Sequence, residues 1–368
     1  MDAVGPAGAW LVDDYASGQV AAWEVPGVYC GTSSDGSVSV YYQSTKDSSR
    51  TVAVEGFSDS VIWSHDDLVC SRNTMRGDVL LAHGSTPKGT ETLEVRRIDA
   101  LTGDVLSAAD IAVEEPQPGV TVTPGDGEET SYVSVRHNLG VSMVAMNDDG
   151  LLWQSDLPSE ILDHVNSTKR MPNCPLIGEH LVCVSADGYA SVMLEAETGS
   201  ITHELSEWEF PVYQVAEGLL VPQQNTSGEA KVIGFDGEEI ETIDIDIEQS
   251  PYPLPHSGVH VPASQLDRNP GLIAQDGAIV GSQHLSYFQF GGESMLPIPG
   301  YEIGITAPGD VVYFLEYGPQ TLKAYNSQGE VLADYSLSAQ VDRLQVYNGY
   351  LVSTGEFAAD VVYVPTSD

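Results

Sequence analysis

Short apolar runs of Val, Ile, Leu and Tyr alternate with polar residues along most of the chain, and Gly, Asp, Asn or Pro interrupts them repeatedly. A period of two places apolar side chains on one face of a β-strand. Helical spacing extends over a turn or two only at 158–170, where Ser159 is a suitable N-cap. The pattern therefore predicts an all-β protein.

Two hairpin motifs recur. The first joins two alternating runs through a polar turn, and its copies lie at 95–109, 142–156, 191–205 and 321–335. The second is a strand, a tight turn and a very apolar strand, with copies at 23–31, 62–71, 175–184, 213–222, 272–281, 304–314 and 344–353, and a degenerate copy at 120–135. Taken together, the two motifs predict a repeat of four antiparallel strands.

A four-stranded sheet repeated every ~40–50 residues is the pattern of a β-propeller blade. We expect one propeller domain over residues 1–368 with eight blades, or seven if the degenerate copy is not a blade. The last repeat holds three strands, so the apolar segment 9–15 is expected to pair with it and close the ring. The proline-rich stretch at about 249–271 departs from the repeat and is expected to form an insertion loop.

The hairpins "IDALTGDVLSA" and "LEAETGSITHEL" resemble the Asp-Ala-x-Thr-Gly turn of pyrroloquinoline-quinone-like repeats, and "MNDDGLLWQSD" keeps the Trp that often follows it. The resemblance implies that each turn joins the third and fourth strands of a blade. Quinone-dependent members of the family use an adjacent cysteine pair and a calcium site. No Cys-Cys dipeptide is present here, so the resemblance favours the non-enzymatic members, which are envelope scaffolds, and no cofactor is expected.

The chain is strongly acidic, with 54 Asp and Glu against 14 Lys and Arg and a net charge of −40. Such a surface repels nucleic acid and anionic lipid. No apolar run of about 18 residues is present, so no membrane insertion within this chain is expected. The first ten residues lack the basic and apolar parts of a signal peptide, so export would require that such a segment has been removed.

The positions of the four cysteines predict two disulfides. Cys174 and Cys183 are equidistant from a turn at Gly178-Glu179, which places them opposite each other in a hairpin. Cys30 and Cys70 then remain as the second pair. Four buried free thiols in a cytosolic protein are the alternative.

Candidate chemical sites are few. His256 and His260 lie four residues apart, but the prolines around them exclude a helix, and a loop zinc site would need a further carboxylate. The alternating acids of 239–250 are better explained as an outer strand protected against edge pairing than as a calcium site. Ser85-x-x-Lys88 lacks the helix that this motif requires. Four further histidines and the five tryptophans are expected to serve packing or the surface: His65, His137, His180 and His203, and Trp10, Trp23, Trp63, Trp153 and Trp208.

These features favour a non-catalytic extracytoplasmic scaffold that binds a protein or glycan partner. It would be a monomer, secreted or anchored to the cell surface through a segment outside this chain. The alternative is a propeller hydrolase or lyase whose site is dispersed around a central channel. No catalytic, cofactor-binding or metal-binding residue is assigned.

Overall fold

The structure is a computed structural model that describes most of the chain. The described residues are 11–45, 49–84, 92–113, 129–137, 140–162, 171–209, 211–223, 228–244, 262–263, 272–273, 279–281, 287–290, 294–297, 302–316, 321–336, 343–355 and 359–366. Helical structure in these ranges is limited to two 3₁₀ helices, Asp13–Ser17 and Ser159–Ile161. Neither of them has the length or the apolar character to cross a membrane.

The remaining regular structure consists of β-strands. The first seventeen are β1 (Val20–Glu24), β2 (Val28–Thr32), β3 (Val38–Ser44), β4 (Ser49–Glu55), β5 (Val61–His65), β6 (Leu68–Val69), β7 (Met75–Arg76), β8 (Val79–Gly84), β9 (Thr92–Asp99), β10 (Val105–Ala112), β11 (Ser131–His137), β12 (Gly140–Asn147), β13 (Gly150–Leu157), β14 (Leu176–Ile177), β15 (His180–Val184), β16 (Ala190–Glu195) and β17 (Ile201–Glu207). The others are β18 (Tyr213–Val215), β19 (Gly218–Pro222), β20 (Glu229–Ile233), β21 (Glu239–Asp244), β22 (Leu272–Ile273), β23 (Ile279–Gly281), β24 (Tyr287–Phe290), β25 (Ser294–Pro297), β26 (Glu302–Ala307), β27 (Val311–Glu316), β28 (Thr321–Tyr325), β29 (Val331–Ser336), β30 (Arg343–Tyr347), β31 (Tyr350–Thr354) and β32 (Val361–Pro365).

The chain divides into two compact units. Unit one comprises Met1–Val25, Tyr213–Gly234 and Glu238–Asp368, and unit two comprises Pro26–Val212 and Phe235–Gly237. Unit two holds four sheets: sheet A (β2-β3-β4-β5), sheet B (β10-β9-β8-β6, with β7 also paired to β8), sheet C (β11-β12-β13) and sheet D (β14-β15-β16-β17). Unit one holds sheet E (β18-β19-β20-β21), sheet F (β22-β24-β25), sheet G (β23-β26-β27-β28-β29) and sheet H (β1-β32-β31-β30).

Consecutive sheets of unit two share apolar cores through their faces. In β12, Val144 belongs to a buried cluster with Val95 of sheet B, whereas the adjacent Met143 belongs to a buried cluster with Val192 of sheet D. A further cluster joins sheets A and B in the same way. Because successive side chains point to opposite faces, a middle strand covered on both sides is apolar at nearly every position. This arrangement explains the continuous apolar runs of the sequence.

The predicted all-β fold with four-stranded sheets is confirmed: among the described residues, four sheets have four strands, two have three and two have five. The described residues form eight sheets, and their strand pairs are antiparallel except for β22 with β24. The third-to-fourth-strand hairpins at 95–109, 142–156, 191–205 and 321–335 form as predicted. The number of blades, the closure of a ring and the single domain stay predictions.

The prediction of a strand at 9–15 is wrong. Residues Asp13–Ser17 form a 3₁₀ helix that ends at Gly18, which has a left-handed φ of 73°. The strand that pairs with β32 is β1, further along the chain, with Ala22 opposite Tyr363. An N-terminal strand therefore completes the last sheet, but a different segment supplies it.

Tyr15 explains why the chain turns before β1. Its side chain is fully buried in the core of unit one and its hydroxyl donates to the carbonyl of Tyr363. The same hydroxyl accepts the Leu351 backbone N–H at 2.8 Å, and the Tyr313 hydroxyl donates to the Tyr15 carbonyl at 3.0 Å. A buried phenol requires such partners, and the 3₁₀ turn lets one residue offer both its hydroxyl and its carbonyl to them.

Three copies of the tight-turn motif are also not hairpins. In the copy at 62–71, β5 pairs with β4 and β6 pairs with β8, so the turn leads from sheet A to sheet B. The copies at 23–31 and 272–281 likewise join strands of different sheets. Alternation specifies a strand but not its partner, so both kinds of turn look alike in the sequence. The copies at 175–184, 213–222, 304–314 and 344–353 are hairpins. Most of 120–135 and of the loop at about 249–271 lies outside the described residues.

Candidate binding surface

The polar turn between β9 and β10 shows how the repeated hairpin is made. The Asp99 carboxylate accepts the backbone N–H groups of Leu101 and Thr102 at 2.8 and 3.0 Å. The Thr102 hydroxyl accepts the N–H of Asp104 at 3.2 Å, and Gly103 has a φ of +79°. Asp and Thr thus satisfy the turn's own backbone, and glycine provides the left-handed residue. The corresponding turn between β16 and β17 uses Thr198 and Gly199 in the same way.

A one-residue β-bulge follows this turn in six of the described hairpins. The extra residue always lies near the start of the outer strand, and the six residues are Ile62, Leu106, Leu152, Thr202, Ile240 and Leu332. A bulge disrupts the alternation of faces and strengthens the local twist. In sheets A to D, the first consequence of the bulge is that the residue after it contacts the next polar turn along the chain.

Trp63 follows the bulge of sheet A and packs on the polar turn of sheet B. Its indole Nε1 donates to the carbonyl of Ala100 at 2.8 Å. The ring lies directly over Gly103, where an added Cβ would be 2.8 Å from its Cγ atom. His65 lies two residues further along, and its Nε2 is 3.0 Å from the Gly103 carbonyl oxygen. Only glycine leaves room for the indole at this place.

Trp153 repeats this contact between sheets C and D. Its Nε1 donates to the carbonyl of Ala196 at 3.0 Å, and a Cβ at Gly199 would lie 2.5 Å from the ring. The Ser155 hydroxyl donates to the Gly199 carbonyl at 2.6 Å. The two tryptophans therefore hold neighbouring sheets together, which is the packing role expected for them.

The junction between sheets B and C uses polar groups instead. Ser107, the residue after the bulge, donates to the carbonyl of Asn147 at 2.6 Å. Arg97, which is fully buried, donates through Nη1 to the carboxylate of Asp148 in the turn of sheet C. Burial lowers the pKa of Arg97, and the nearby Asp148 carboxylate opposes that shift. An ion pair here replaces the indole of the other two junctions.

His203 occupies the equivalent position in sheet D. Its ring lies against Gly237, where an added Cβ would overlap the imidazole, and its Nε2 is 3.0 Å from the Ser206 hydroxyl. His180 stacks on Phe235 with ring centroids 4.5 Å apart and an interplanar angle of 4°. Burial lowers the pKa of His203, while Asp236 and Glu204 act in the opposite direction. Both histidines serve packing, as expected.

The second consequence of the bulges is a set of exposed aliphatic side chains. In unit two, the aliphatic residues at and just before the bulges are between 39% and 58% exposed. The bulge residue of sheet D, Thr202, is exposed as well. We call the following set the outer aliphatic row: Val61, Ile62, Val105, Leu106, Leu151, Leu152 and Ile201. In unit one the corresponding exposed residues are single, Ile240 and Val331.

Acidic groups surround the outer aliphatic row. An exposed carboxylate precedes the row residues in the turn of each sheet: Asp59, Asp104, Asp149 and Glu197. The four outer strands β5, β10, β13 and β17 contain no Lys or Arg. The row is therefore an apolar strip on an anionic background.

The structure forms both pairs of cysteines as disulfides. Cys174 and Cys183 lie opposite each other because the register that pairs Ile177 with His180 continues beyond β14. Cys30 and Cys70 are joined with their Cα atoms 6.0 Å apart, and this bond links β2 of sheet A to the segment that follows β6 of sheet B. All four side chains are buried, and two structural disulfides fit an oxidising compartment.

The described residues offer little metal chemistry. No group of three His, Cys, Asp or Glu side chains in the described part of the chain is arranged to hold a metal ion. His256, His260, Ser85 and Lys88 lie outside the described residues. Strand β21 is the outer strand of sheet E, as predicted, and its Ile243 is buried.

A histidine, a serine and an aspartate do come together in sheet C. The buried Ser142 hydroxyl donates to Asp156 at 2.5 Å and lies 3.2 Å from His137 Nε2. In a nucleophilic triad the histidine stands between serine and aspartate and takes the serine proton. Here the serine stands in the middle and its proton is directed to the carboxylate, so the arrangement does not activate the hydroxyl.

The outer aliphatic row is the surface that sequence reasoning missed. Its signal was present, since "DVLSA" and "DGLLWQ" place two apolar residues directly after a polar turn. Strict alternation would bury one of each pair. The exposure of both follows from the bulge, which the sequence pattern does not reveal.

Comparison with known proteins adds information on the fold alone. No family model and no curated protein matches the chain. Among solved structures, BamB from Moraxella catarrhalis is 12% identical with a TM-score of 0.43, covering 92% of this chain and 86% of that chain. The β-propeller domain of Myceliophteria thermophila Cps50 (Swd1) is 13% identical with a TM-score of 0.44, covering 95% and 98%. The quinohemoprotein alcohol dehydrogenase ADHIIG from Pseudomonas putida HK5 is 12% identical with a TM-score of 0.45, covering 97% and 78%. This level of likeness carries no argument about activity or partners.

Proposed function

We propose that the chain is a non-catalytic, extracytoplasmic scaffold that binds a protein partner, as the ectodomain of an envelope protein or as a secreted protein. The observation that carries this proposal is the outer aliphatic row. Seven aliphatic side chains are exposed at equivalent places of four sheets in a chain with a net charge of −40. Single exposed apolar residues are ordinary, whereas larger exposed apolar surfaces mark interaction sites.

The composition of the row favours a protein over a glycan. Its members are Val, Ile and Leu, which gain free energy by removing apolar area from water, at ~25 cal/mol per Å² buried. They offer no hydrogen bonds to hydroxyl groups. A set of packed sheets, two of them joined by the Cys30–Cys70 disulfide, that presents these side chains fits a scaffold better than an enzyme.

Capture of a partner tests the proposal. Immobilised wild-type protein and the triple variant Ile62→Ser, Leu106→Ser, Leu152→Ser would be exposed to the envelope and secreted fractions of the source organism. Because the three side chains are exposed, these substitutions should change stability little. We expect a stoichiometric protein partner on the wild type and its loss from the variant. Equal retention by both proteins, or no retained protein, would contradict the proposal.

The compartment is tested separately through the thiols. Denatured protein from its native source would be alkylated without reductant and its mass measured. Two intact disulfides predict no added alkyl groups, because all four cysteines are paired. Four alkylated thiols would place the protein in a reducing compartment and refute an extracytoplasmic location.

A further inference from the structure

We infer that the outer aliphatic row accepts a cationic protein segment that carries apolar side chains on one face. This inference rests on the proposed function, because it names the chemistry of the partner at the same surface. Three features of unit two support it: the equivalent placement of the row residues on consecutive sheets, the charges around them and the bulges among them.

Contacts between neighbouring sheets fix the relative positions of the strands and turns that carry the row. Trp63, next to Ile62, contacts Ala100 in the turn that leads to Val105 of sheet B. Ser107, next to Leu106, donates to Asn147 in the turn that leads to Leu151. The last connection is the contact of Trp153, next to Leu152, with Gly199 in the turn that leads to Ile201. The row residues of consecutive sheets are therefore held in fixed positions relative to one another.

The charges around the row select a cationic partner. The exposed carboxylates of Asp59, Asp104, Asp149 and Glu197 border it, and its strands provide no positive side chain. Lys or Arg flanking the apolar face of a partner would be attracted to these groups, which raises the association rate and disfavours acidic competitors. A second copy of this chain, with the same charge of −40, and an anionic lipid surface are both repelled.

The bulges decide how the partner binds. Ile62 and Leu106 lie outside the regular ladders of β4 with β5 and of β9 with β10. A bulged, strongly twisted edge is a poor template for adding another strand. The partner therefore contacts side chains rather than extending the sheets, as an amphipathic helix does in an apolar groove.

Three synthetic peptides of ~14 residues test this inference by fluorescence anisotropy on the intact protein. The first repeats Leu-Lys-Lys-Leu-Leu-Lys-Leu, the second replaces each Lys by Glu, and the third replaces each Leu by Ser. The row variant is Ile62→Ser, Leu106→Ser, Leu152→Ser. The matched control is Ile240→Ser, Val331→Ser, which removes exposed aliphatic residues at the same strand positions in unit one.

We expect the Leu–Lys peptide to bind the wild type and the control variant equally, within about twofold. Its affinity for the row variant should fall by about tenfold or more, since each desolvated side chain contributes roughly 1 kcal/mol. The Leu–Glu and Ser–Lys peptides should both bind at least about tenfold more weakly than the Leu–Lys peptide. Equal binding of the Leu–Lys peptide to wild type and row variant would overturn the inference, because charge alone would then explain the contact.

The result separates this inference from the proposed function. If a native partner is lost from the row variant but the Leu–Lys peptide does not bind, the row is a binding surface and only the cationic chemistry of its partner is wrong. If the Leu–Lys peptide binds through the row but no native protein is retained, the scaffold function is contradicted. The inference that the row binds a cationic segment with an apolar face then stands. Failure of both experiments refutes both proposals.

Discussion

Two junctions in unit two occupy the same structural position with different chemistry. Between sheets C and D, the Trp153 indole covers Gly199 and donates to the backbone of the turn. At the far end of sheet D, the His203 imidazole covers Gly237. Both residues directly follow a bulge, and both lie over a left-handed glycine. At these two junctions the ring lies over a glycine, and the kind of ring decides how the contact responds to pH, whereas Ser107 occupies this position between sheets B and C.

The two rings have different electrostatic properties. An indole stays neutral at every accessible pH, whereas an imidazole gains a charge near pH 6.5. Burial lowers the pKa of His203, so the folded state favours its neutral form. The strength of the tryptophan contact is therefore independent of pH, whereas the histidine contact weakens in acid. The predictions below test this difference in order of expected effect.

The largest effect is expected for Trp153→Ala. Removing a large, partly buried ring and its hydrogen bond to Ala196 should lower the free energy of unfolding by about 3 kcal/mol. Equilibrium urea unfolding followed by circular dichroism measures this change. Trp63→Ala should behave similarly, because its contact with Gly103 is equivalent. A decrease in the free energy of unfolding below about 0.5 kcal/mol in both variants would contradict the role of these indoles in holding neighbouring sheets together.

Gly199→Ala should have the next largest effect, about 2 kcal/mol. The new Cβ would lie 2.5 Å from the Trp153 ring and would occupy a backbone with a φ of +71°. Gly178→Ala is the matched control, because that residue has a φ of +61° but nothing within 4 Å of an added Cβ. The control should lose only the ~1 kcal/mol cost of the left-handed backbone. Equal losses, measured by the same urea method, would show that the ring contact adds nothing.

Asp148→Asn tests the polar junction between sheets B and C and should lower the free energy of unfolding by about 1–2 kcal/mol. The substitution keeps the shape of the side chain and removes the charge that faces the buried Arg97 guanidinium. Because the carboxylate is largely exposed, the cost should stay below that of breaking a fully buried pair. Thermal unfolding at low and high salt checks this expectation. A variant as stable as the wild type would mean that the ion pair contributes nothing to the junction.

The smallest effect is expected for His203→Phe, and it should depend on pH. Since the pKa of His203 is lowered in the folded state, the unfolded chain binds a proton more readily, and stability is lost as the pH falls below 6.5. Phenylalanine removes this loss and leaves stability above that pH nearly unchanged. Urea midpoints at about pH 7.5 and 5.5 should therefore differ less in the variant than in the wild type. His83, whose pKa burial also lowers, remains in both proteins.

Trp153→Phe provides the control for that experiment. It changes an equivalent ring without altering any titratable group, so the pH dependence of stability should match that of the wild type. If the urea midpoint of Trp153→Phe changes as little between the two pH values as that of His203→Phe, the imidazole is not the source of the pH dependence of stability.

Local features of the sequence predicted the hairpins well. Thr102-Gly103 and Thr198-Gly199 indicated their turns because only glycine accepts the left-handed backbone there without strain. The spacing of Cys174 and Cys183 around one turn placed them opposite each other, since pairing in an antiparallel hairpin is fixed by its centre. These features depend on residues close together in the chain.

Features that depend on a distant partner were predicted poorly. The motif at 62–71 looked like a hairpin, but its two strands join different sheets. The segment 9–15 looked like a strand, but the buried Tyr15 is held by Leu351 and Tyr363 in a 3₁₀ turn. Alternation reports which side of a strand is buried and does not report which strand lies beside it.

The sequence by itself determined the all-β character, the four-stranded repeat, its turns and the strong negative charge, because each depends on local backbone preferences or on composition. Only the tertiary structure decided which strands share a sheet, which glycine lies under which ring, and that Ile62, Leu106 and Leu152 are exposed together. The physical reason is that a bulge shifts one strand against its partner by a single residue. That shift leaves both apolar residues after the turn exposed, whereas the sequence pattern by itself would bury one of them.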